Sequence, residues 1–354
     1  MGPNDLSGNL RSLPRIAPTP SSANAAVPTN PRERPDAPDM IVVARAFETL
    51  RSLGLVKPGA RLQIGPRIQR AVSTLFLLQW KDAHGGTCSA YYKVLRPPRD
   101  VPTWWIQETR AYLQRASLLD QRLASLGDDG MVRAARVLAV DADRSTIVAL
   151  AMPGTPLTDH LRNAWRTGRR SALEDVYFGL GRFTRRVENC MLPDEVPPVG
   201  ARPAILLERL RQVQTILSDD LTSVEWLLER LFEEAASVDR LVVSHSDLNP
   251  KNILIHGKDV GVIDFGWIPR FPGHDIAFLA CRSKYVLQVP TPWMGGLTEA
   301  LLAGYGEPDL SSKPQWAAAK VEALLRVIVQ QRNQKGLHRI RYWRAVKELR
   351  WEAR

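Results

Sequence analysis

The chain has 354 residues, a formal net charge of +11 and an apolar content of 44%. This length allows about two globular units, and no apolar run reaches the roughly 18 residues of a membrane-spanning helix. Three isolated cysteines without metal-ligand spacing exclude a disulfide framework and indicate a reducing compartment, the cytoplasm. Nothing in the chain matches a nucleic-acid-binding fold, so no nucleic-acid partner is expected.

The amino-terminal segment differs from the rest of the chain. It is rich in Pro, Ser, Ala and Asn and has few large apolar residues. Such a composition cannot bury enough apolar surface to offset the entropy of ordering. Residues 1–40 are therefore predicted to be a disordered tail, without the compact apolar core of a secretory signal.

A β-hairpin is predicted next. Residues 74–80 and 89–95 are apolar runs separated by a turn that contains Gly85 and Gly86. Lys93 lies inside the second run, where a cation is costly unless it has a partner.

A helix and a buried strand should follow. Residues 104–116 are compatible with a helix in which Glu108 is the only acid. Residues 145–152 have a buried-strand pattern and end at the Pro153-Gly154 turn.

The most informative segment is residues 245–252, His-Ser-Asp-Leu-Asn-Pro-Lys-Asn, followed twelve residues later by Asp264-Phe265-Gly266. Short apolar runs flank and separate these motifs and predict strands, which lie at 241–243, 253–255 and 260–263. The motifs therefore belong to a loop between strands and to the end of a β-hairpin.

These residue types suit phosphoryl transfer from a nucleotide. Mg²⁺ prefers hard oxygen ligands and keeps several waters, so one carboxylate and one carboxamide suffice, here Asp264 and Asn252. The acceptor hydroxyl also needs a carboxylate that orients it and takes its proton, and Asp247 is placed for that role.

The segments HSDLNPKNILI, VGVIDFG and GHDIAFLA together resemble the aminoglycoside phosphotransferase and choline kinase family. That family shows H-x-D-x-x-x-x-N, then I-D-F/W, then D-x-A about ten residues later. The resemblance implies an α+β, two-lobed, protein-kinase-like fold. A small β-rich N-lobe over 41–152 and a larger, mainly helical C-lobe over 153–354 would bind ATP (or GTP) and Mg²⁺ between them.

The resemblance also implies roles for residues outside the two motifs. Lys93 and Glu108 would form the ion pair that positions the nucleotide phosphates. The backbone of Ala151 and Met152 would receive adenine. His245 would pack under the catalytic loop, and Asp275 would anchor that loop through hydrogen bonds.

One departure concerns the phosphate-covering loop, expected over residues 64–73. Protein kinases carry G-x-G-x-x-G there, whereas this chain has Gly65 alone.

The carboxyl end is strongly basic. Residues 313–354 contain eleven Lys or Arg and three Glu, a net charge of +8. Residues 336–351 are predicted to form an amphipathic helix with an apolar stripe of Ile340, Trp343, Val346 and Leu349. This helix either covers the C-lobe with a solvated basic face or contacts an anionic membrane surface.

This charge also bears on the acceptor. A polycationic aminoglycoside needs an acidic site, so a neutral or anionic hydroxyl compound, such as a sugar or sugar-containing compound, fits the composition better. An aminoglycoside phosphotransferase remains an alternative.

Two other classes remain open. A protein kinase is disfavoured because the long activation segment ending in Ala-Pro-Glu is missing. An inactive nucleotide-binding scaffold is disfavoured because the set of Lys93, Asp247, Asn252 and Asp264 is complete.

Overall fold

The computed structural model describes residues 37–56, 61–69, 73–81, 85–95, 103–126, 130–190, 229, 241–287, 291–331 and 337–352. Of the tail predicted to be disordered, residues 1–36 lie outside these ranges, and the first helix, α1 (Ala37–Ser52), begins within its last residues. Contacts divide the chain into two compact units, Met1–Leu113 with Val137–Ala151, and Gln114–Arg136 with Met152–Arg354. The second unit thus includes residues 114–136, which fall inside the N-lobe expected from the sequence.

The first unit is built on a five-stranded antiparallel sheet of order β1-β2-β3-β6-β5. Its strands are β1 (Gln63–Gln69), β2 (Ser73–Lys81), β3 (Thr87–Leu95), β5 (Val137–Asp141) and β6 (Thr146–Leu150). The predicted hairpin is confirmed, with β2 and β3 paired from Ser73 opposite Leu95 to Lys81 opposite Thr87. The segment expected as a phosphate-covering loop is instead strand as far as Gln69, and residues 70–72 lie outside the described chain.

Side-chain alternation explains how this sheet is packed. One face contributes Phe76, Leu78, Trp80, Ala90, Tyr92 and Val148 to a core that includes Ala46 and Leu50 of α1. Successive residues of a strand point to opposite faces, so Lys93, next to the buried Tyr92, belongs to the other face. Lys93 is half-buried on the central strand β3, opposite Leu75 and Ile147.

The second unit contains two small sheets. The larger has the order β4-β10-β9-β7, from β4 (Val132–Ala134), β7 (Thr155–Pro156), β9 (Ile253–His256) and β10 (Asp259–Val262). The other pairs β8 (Val242–Ser244) with β11 (Ile268–Arg270). The strands predicted around the motifs are confirmed, and β9 and β10 form an antiparallel hairpin around Gly257 and Lys258.

Helices make up most of the described part of the second unit. The described helices after α1 are α2 (Thr103–Ser125), α3 (Leu157–Thr167), α4 (Ser171–Glu188), α5 (His274–Leu287), α6 (Thr291–Tyr305), α7 (Pro314–Gln331) and α8 (Leu337–Glu352). Helices α4 and α6 touch through glycines, since a Cβ on Gly304 would lie 2.0 Å from the carbonyl oxygen of Phe178. No helix in the described ranges is long and apolar enough to cross a membrane.

The carboxyl-terminal helix corrects one prediction. Ala345, Val346 and Leu349 of α8 are buried in a core shared with α5 and α7. Ile340 and Trp343, expected on the same apolar stripe, are 46% and 51% exposed. A spacing of three residues falls short of the helical period of 3.6, so the stripe drifts around the helix and leaves its first members in solvent.

Candidate active site

The loop between β8 and β9 carries the first motif and folds back on itself. Asn249 Oδ1 accepts a hydrogen bond from the Lys251 backbone N–H at 2.9 Å, and the Asn249 carbonyl accepts one from the Asn252 N–H at 2.9 Å. Asn favours such a turn because its side chain bonds the backbone two residues on, and Pro250 fixes its own φ. The turn returns Asn252 to the side of Asp247.

Asp247 and Asn252 are joined directly. Nδ2 of Asn252 donates to the backbone carbonyl of Asp247 at 3.0 Å and to its Oδ2 at 3.2 Å. Both bonds use Nδ2, so among the described residues Oδ1 of Asn252 makes no hydrogen bond and keeps its lone pairs for another group. The Asp247 side chain is 44% exposed, whereas Asn252 is buried.

Asp264 lies between two residues that join the second motif to the first through backbone hydrogen bonds. The Ile263 N–H donates to the Asn252 carbonyl at 2.9 Å, and the Gly266 N–H donates to the His245 carbonyl at 2.9 Å. Asp264 therefore follows directly in chain after the residue bonded to Asn252. Its φ of +64° lies in the left-handed region, which costs a non-glycine residue about 1 kcal/mol or more and is often found at active sites.

Gly266 is required by this close approach. A Cβ at this position would lie 2.2 Å from Ser246 Oγ and 3.1 Å from the His245 carbonyl oxygen. Ser246 itself has a φ of +66°. The glycine of the second motif thus lets the two loops pack backbone against backbone.

His245 is buried under the loop. Its Nε2 is 2.8 Å from the Ile263 carbonyl, and its ring centroid is 4.4 Å from that of Phe265, which stacks in turn on Trp267. The ring fills the space beneath the loop and contacts the second motif from below.

Asp275, the first acidic residue of α5, holds the backbone of the loop between β8 and β9. Its Oδ2 accepts from the His245 N–H at 2.6 Å, and its Oδ1 accepts from the Ser246 N–H at 2.9 Å. Burial opposes ionisation, but the hydrogen bond and charge of His274 outweigh it, so the pKa of Asp275 is lowered. A charged carboxylate thus fixes the two residues that precede Asp247.

A second buried acid supports the start of α5. Glu188 Oε1 accepts from the Gly273 N–H at 2.8 Å, and Glu188 Oε2 accepts from the Tyr305 hydroxyl at 2.5 Å. Burial raises the pKa of Glu188 to about 8, although both hydrogen bonds lower it.

Arg326 of α7 is a site residue that sequence reasoning missed. Its Nη1 donates to Asp247 Oδ1 at 3.1 Å, and its Nη2 donates to Glu322 Oε1 at 2.7 Å. Burial opposes the charge on Arg326, but Glu322 and Asp247 more than compensate, so its pKa is raised. The i,i+4 spacing of Glu322 and Arg326 was the available signal, but it is also the spacing of ordinary solvated helix pairs.

Glu322 closes a ring of contacts around the loop. His274 Nε2 lies 3.1 Å from Glu322 Oε2, and His274 Nδ1 lies 3.4 Å from Asp275 Oδ1. The ring runs from Asp247 through Arg326, Glu322, His274 and Asp275 back to the loop amides.

The structure describes only some of the residues predicted to bind the nucleotide. Lys93 lies on β3 and Glu108 on α2, but the Glu108 side chain is outside the described part of the chain, so the ion pair stays a prediction. The Ala151 N–H donates to the Ser89 carbonyl at 2.9 Å, which restricts any adenine contact at Ala151 to its carbonyl. Met152 begins the second unit.

The donor set limits which metal chemistry is possible. No group of three His, Cys, Asp or Glu in the described ranges converges as a metal site. A site made of one carboxylate and one carboxamide oxygen suits Mg²⁺, which takes its remaining ligands from substrate phosphates and water.

Residues 87–319 match the model of the APH family, the phosphotransferase enzyme family. This is more than half of the chain, and the chain belongs to that family. It is a phosphotransferase with an alcohol group as acceptor, as the motif resemblance implied.

Solved structures extend the comparison to the fold. A choline kinase from Cryptosporidium parvum Iowa II matches with a TM-score of 0.57 and 10% identity, over 88% of this chain and 94% of that one. A streptomycin–ATP–APH(2")-IIa ternary complex matches with a TM-score of 0.52 and 14% identity, over 90% and 97%. A GDP complex of a mutant aminoglycoside 2'-phosphotransferase-IIIa matches with a TM-score of 0.51 and 13% identity, over 88% and 96%. The predicted α+β, protein-kinase-like fold is confirmed, and no curated protein matches the chain.

Proposed function

We propose that this protein is a small-molecule kinase that transfers the γ-phosphate of ATP, or of GTP, to a hydroxyl of a small acceptor in the cytoplasm. The observation that carries the proposal is the bonded pair of Asp247 and Asn252, with Asp264 held against them by the Ile263–Asn252 backbone bond. The relatives in solved structures are named with ATP and GDP, which supports a nucleotide donor. All three cysteines are free thiols, which supports a reducing compartment.

Mg²⁺ would be held by Asp264 and by Oδ1 of Asn252, and when bound it neutralises charge on the transferring phosphate. Asp247 would take the proton of the acceptor hydroxyl, because its carboxylate is partly exposed while its backbone is fixed. Asn252 orients this carboxylate by donating a hydrogen bond from its Nδ2 to Asp247 Oδ2. Asp275 and His245 have positioning roles, since they contact the loop backbone and the underside of the loop.

The nucleotide would be held by Lys93, paired with Glu108, and by the backbone carbonyl of Ala151 and the backbone of Met152. Lys93 is half-buried on the central strand of the sheet, a position that is consistent with a phosphate contact. The identity of the base, adenine or guanine, is left to a nucleotide competition experiment.

For the acceptor we propose a sugar or sugar-containing compound over an aminoglycoside. Two acids of the region before the catalytic loop, Glu188 and Glu174, are engaged internally, with Tyr305 and Arg170 respectively. Glu188 is buried and so cannot bind a polycation, and the charge of Glu174 is already balanced by Arg170. A protein acceptor is disfavoured because the chain runs from Gly266 through β11 directly into α5, without a long activation segment.

A membrane-surface contact is a second proposal, carried by the exposed face of α8. This face presents Ile340 and Trp343 beside Arg344, Lys347 and Arg350, all exposed. Aromatic and basic side chains side by side suit an anionic lipid interface. The acceptor would then be a headgroup or a lipid-linked sugar.

The central test is Asp264→Asn, with Asp259→Asn on the exposed start of β10 as the matched control. ADP formation should fall at least about 10²-fold in Asp264→Asn and stay unchanged in Asp259→Asn, because only the first loses a metal ligand. Circular dichroism should report the same fold for all three proteins, and Mn²⁺ binding in the presence of ADP should weaken only in Asp264→Asn. Unchanged turnover in Asp264→Asn would refute the site.

A further inference from the structure

The carboxylate of Asp247 accepts a hydrogen bond on each of its two oxygens. Oδ1 accepts from Arg326 Nη1 at 3.1 Å, and Oδ2 accepts from Asn252 Nδ2 at 3.2 Å. The two donors come from different parts of the chain, since Asn252 ends the same loop and Arg326 lies 79 residues away on α7. Bonds on both oxygens restrict the rotation of the carboxylate about its Cβ–Cγ bond, which is otherwise broad.

Arg326 is itself held in place by groups outside that loop. Its Nη2 donates to Glu322 Oε1 at 2.7 Å, and its Cζ lies 4.9 Å from the ring centroid of Phe278 on α5. The Arg326 side chain is only 17% exposed. A guanidinium is planar and its N–H donors point in fixed directions, so a group held in this way presents Nη1 to Asp247 from one direction. The orientation of the Asp247 carboxylate is therefore set in part from α7 and α5.

Glu322 keeps Arg326 from closing on Asp247 with both of its terminal nitrogens. Glu322 is anchored by Arg270 Nη2 at 3.4 Å and His274 Nε2 at 3.1 Å, and it takes Nη2 of Arg326. Asp247 therefore receives one N–H group from Arg326 instead of a bidentate pair. An ionised carboxylate can accept about four hydrogen bonds, so Asp247, whose side chain is 44% exposed, keeps lone pairs for an acceptor hydroxyl.

We propose that Arg326 is a positioning residue for phosphoryl transfer, which together with Asn252 orients the Asp247 carboxylate towards the acceptor hydroxyl. This inference rests on the proposed kinase function, in which Asp247 takes the proton of that hydroxyl. A base acts only within hydrogen-bond reach of the proton it takes, and a misplacement of about 1 Å can cost about 10²-fold in rate. Loss of Arg326 should therefore lower turnover, whereas nucleotide and metal binding, which use other residues, should stay unchanged.

The first test separates kcat from KM. ADP formation from ATP is measured with water alone as the acceptor, and with glycerol, glucose, choline and kanamycin. Arg326→Met should lower kcat about 10- to 10²-fold and leave the KM for ATP within about 2-fold of the native value. Binding of Mn²⁺ in the presence of ADP should also be unchanged. Lys320→Met removes an ion pair of the same helix, to Glu348 of α8 at 3.2 Å, and should leave kcat and KM unchanged.

A double-mutant cycle tests whether Arg326 acts through Asp247. Asp247→Asn, Arg326→Met and the double variant are compared with the native protein in the same assay. If Arg326 works by orienting the Asp247 carboxylate, the double variant should be no slower than Asp247→Asn alone. Losses that multiply in the double variant would overturn the inference, because Arg326 would then act on another group. Arg326→Lys should recover only part of the turnover, since one ammonium cannot reproduce the bonds to both Asp247 and Glu322.

Circular dichroism and thermal unfolding check that each variant is folded. If Arg326→Met does not fold, the same cycle is run with Arg326→Gln, whose amide can still bond Glu322. Turnover of the Arg326 variant equal to that of the native protein, or an equal loss in Lys320→Met, would overturn the inference. The kinase function fails separately, if Asp264→Asn keeps native turnover. A native protein that forms ADP with none of these acceptors would refute the kinase function and the inference with it.

Discussion

Replacement of Glu188 by Gln should make the protein more stable than the native form at alkaline pH and should have little effect at acid pH. The Glu188 carboxyl is buried against Tyr305 and the Gly273 amide, and burial raises its pKa from 4.5 to about 8. Below pH 4.5 the folded and unfolded states both hold the proton, so ionisation contributes nothing. As pH rises towards 8 the unfolded chain releases its proton while the folded protein keeps it, and stability falls.

The size of this effect follows from the shift. Between pH 5 and pH 8 the Glu188 carboxyl is ionised in the unfolded state but not in the folded state. The free energy of unfolding falls by ~1.36 kcal/mol for each of these roughly three pH units, or by about 4 kcal/mol at most. Gln keeps a similar shape and hydrogen-bonding capacity and has no charge to release. The Tm difference between Glu188→Gln and the native protein should therefore grow with pH, by about 16 °C at most at about 2–4 °C per kcal/mol for a unit of this size.

The measurement is a series of thermal unfolding curves from pH 5 to pH 8.5 at constant ionic strength. Glu174→Gln, on the same helix and paired with Arg170 in solvent, serves as the control for loss of one negative charge. A Tm difference for Glu188→Gln that stays constant across this range, or that matches the control, would refute the reasoning from burial.

Two further predictions concern other parts of the chain. Lys93→Ala should lower kcat by about 10²-fold or more with a smaller change in KM, because Lys93 would act on charge that develops in the transition state; steady-state kinetics with equal turnover would remove Lys93 from the nucleotide site. Replacing Arg344, Lys347 and Arg350 by Gln should weaken binding to anionic vesicles by about 3 kcal/mol, at ~1 kcal/mol per basic side chain. Binding of the native protein should also fall as salt is added. As a control, a variant in which the exposed Arg166, Arg169 and Lys258 are replaced by Gln should sediment with the vesicles as well as the native protein does. If the native protein does not bind vesicles, α8 is a solvated cover over its packed face.

The two motifs were predictable because their constraints are local. The turn from Asn249 to Asn252 and the hairpin of β9 and β10 are formed by residues that are close in sequence. The residue types and their spacing therefore predicted both the strands and the loop between them. Gly266 followed from the motif, although the reason for it, the contact with Ser246, is a tertiary one.

The missed parts depend on long-range contacts. Arg326 meets Asp247 across 79 residues, and nothing in the sequence separates a buried arginine of this kind from the solvated ones around it. The apolar stripe of α8 was predicted from spacing alone. Which of its residues are buried depends on contact with α5 and α7, which cover Val346 and Leu349 but leave Ile340 and Trp343 exposed. The loop expected over residues 64–73 was placed by comparison with kinases, and a single glycine gave no local signal for it; pairing with β2 makes residues 63–69 a strand instead.

The contact between Asp247 and Arg326 also sets an order on the biosynthesis of the enzyme. The loop between β8 and β9 leaves the ribosome well before α7, so for that interval Asp247 lacks Arg326 and His274 lacks Glu322. A nascent or truncated chain that stops short of residue 322 holds every residue of both motifs and still cannot complete the ring that fixes them. We therefore expect the site to be completed only when α7 has been added, and chains that end before residue 322 should carry the signature of the family without its activity.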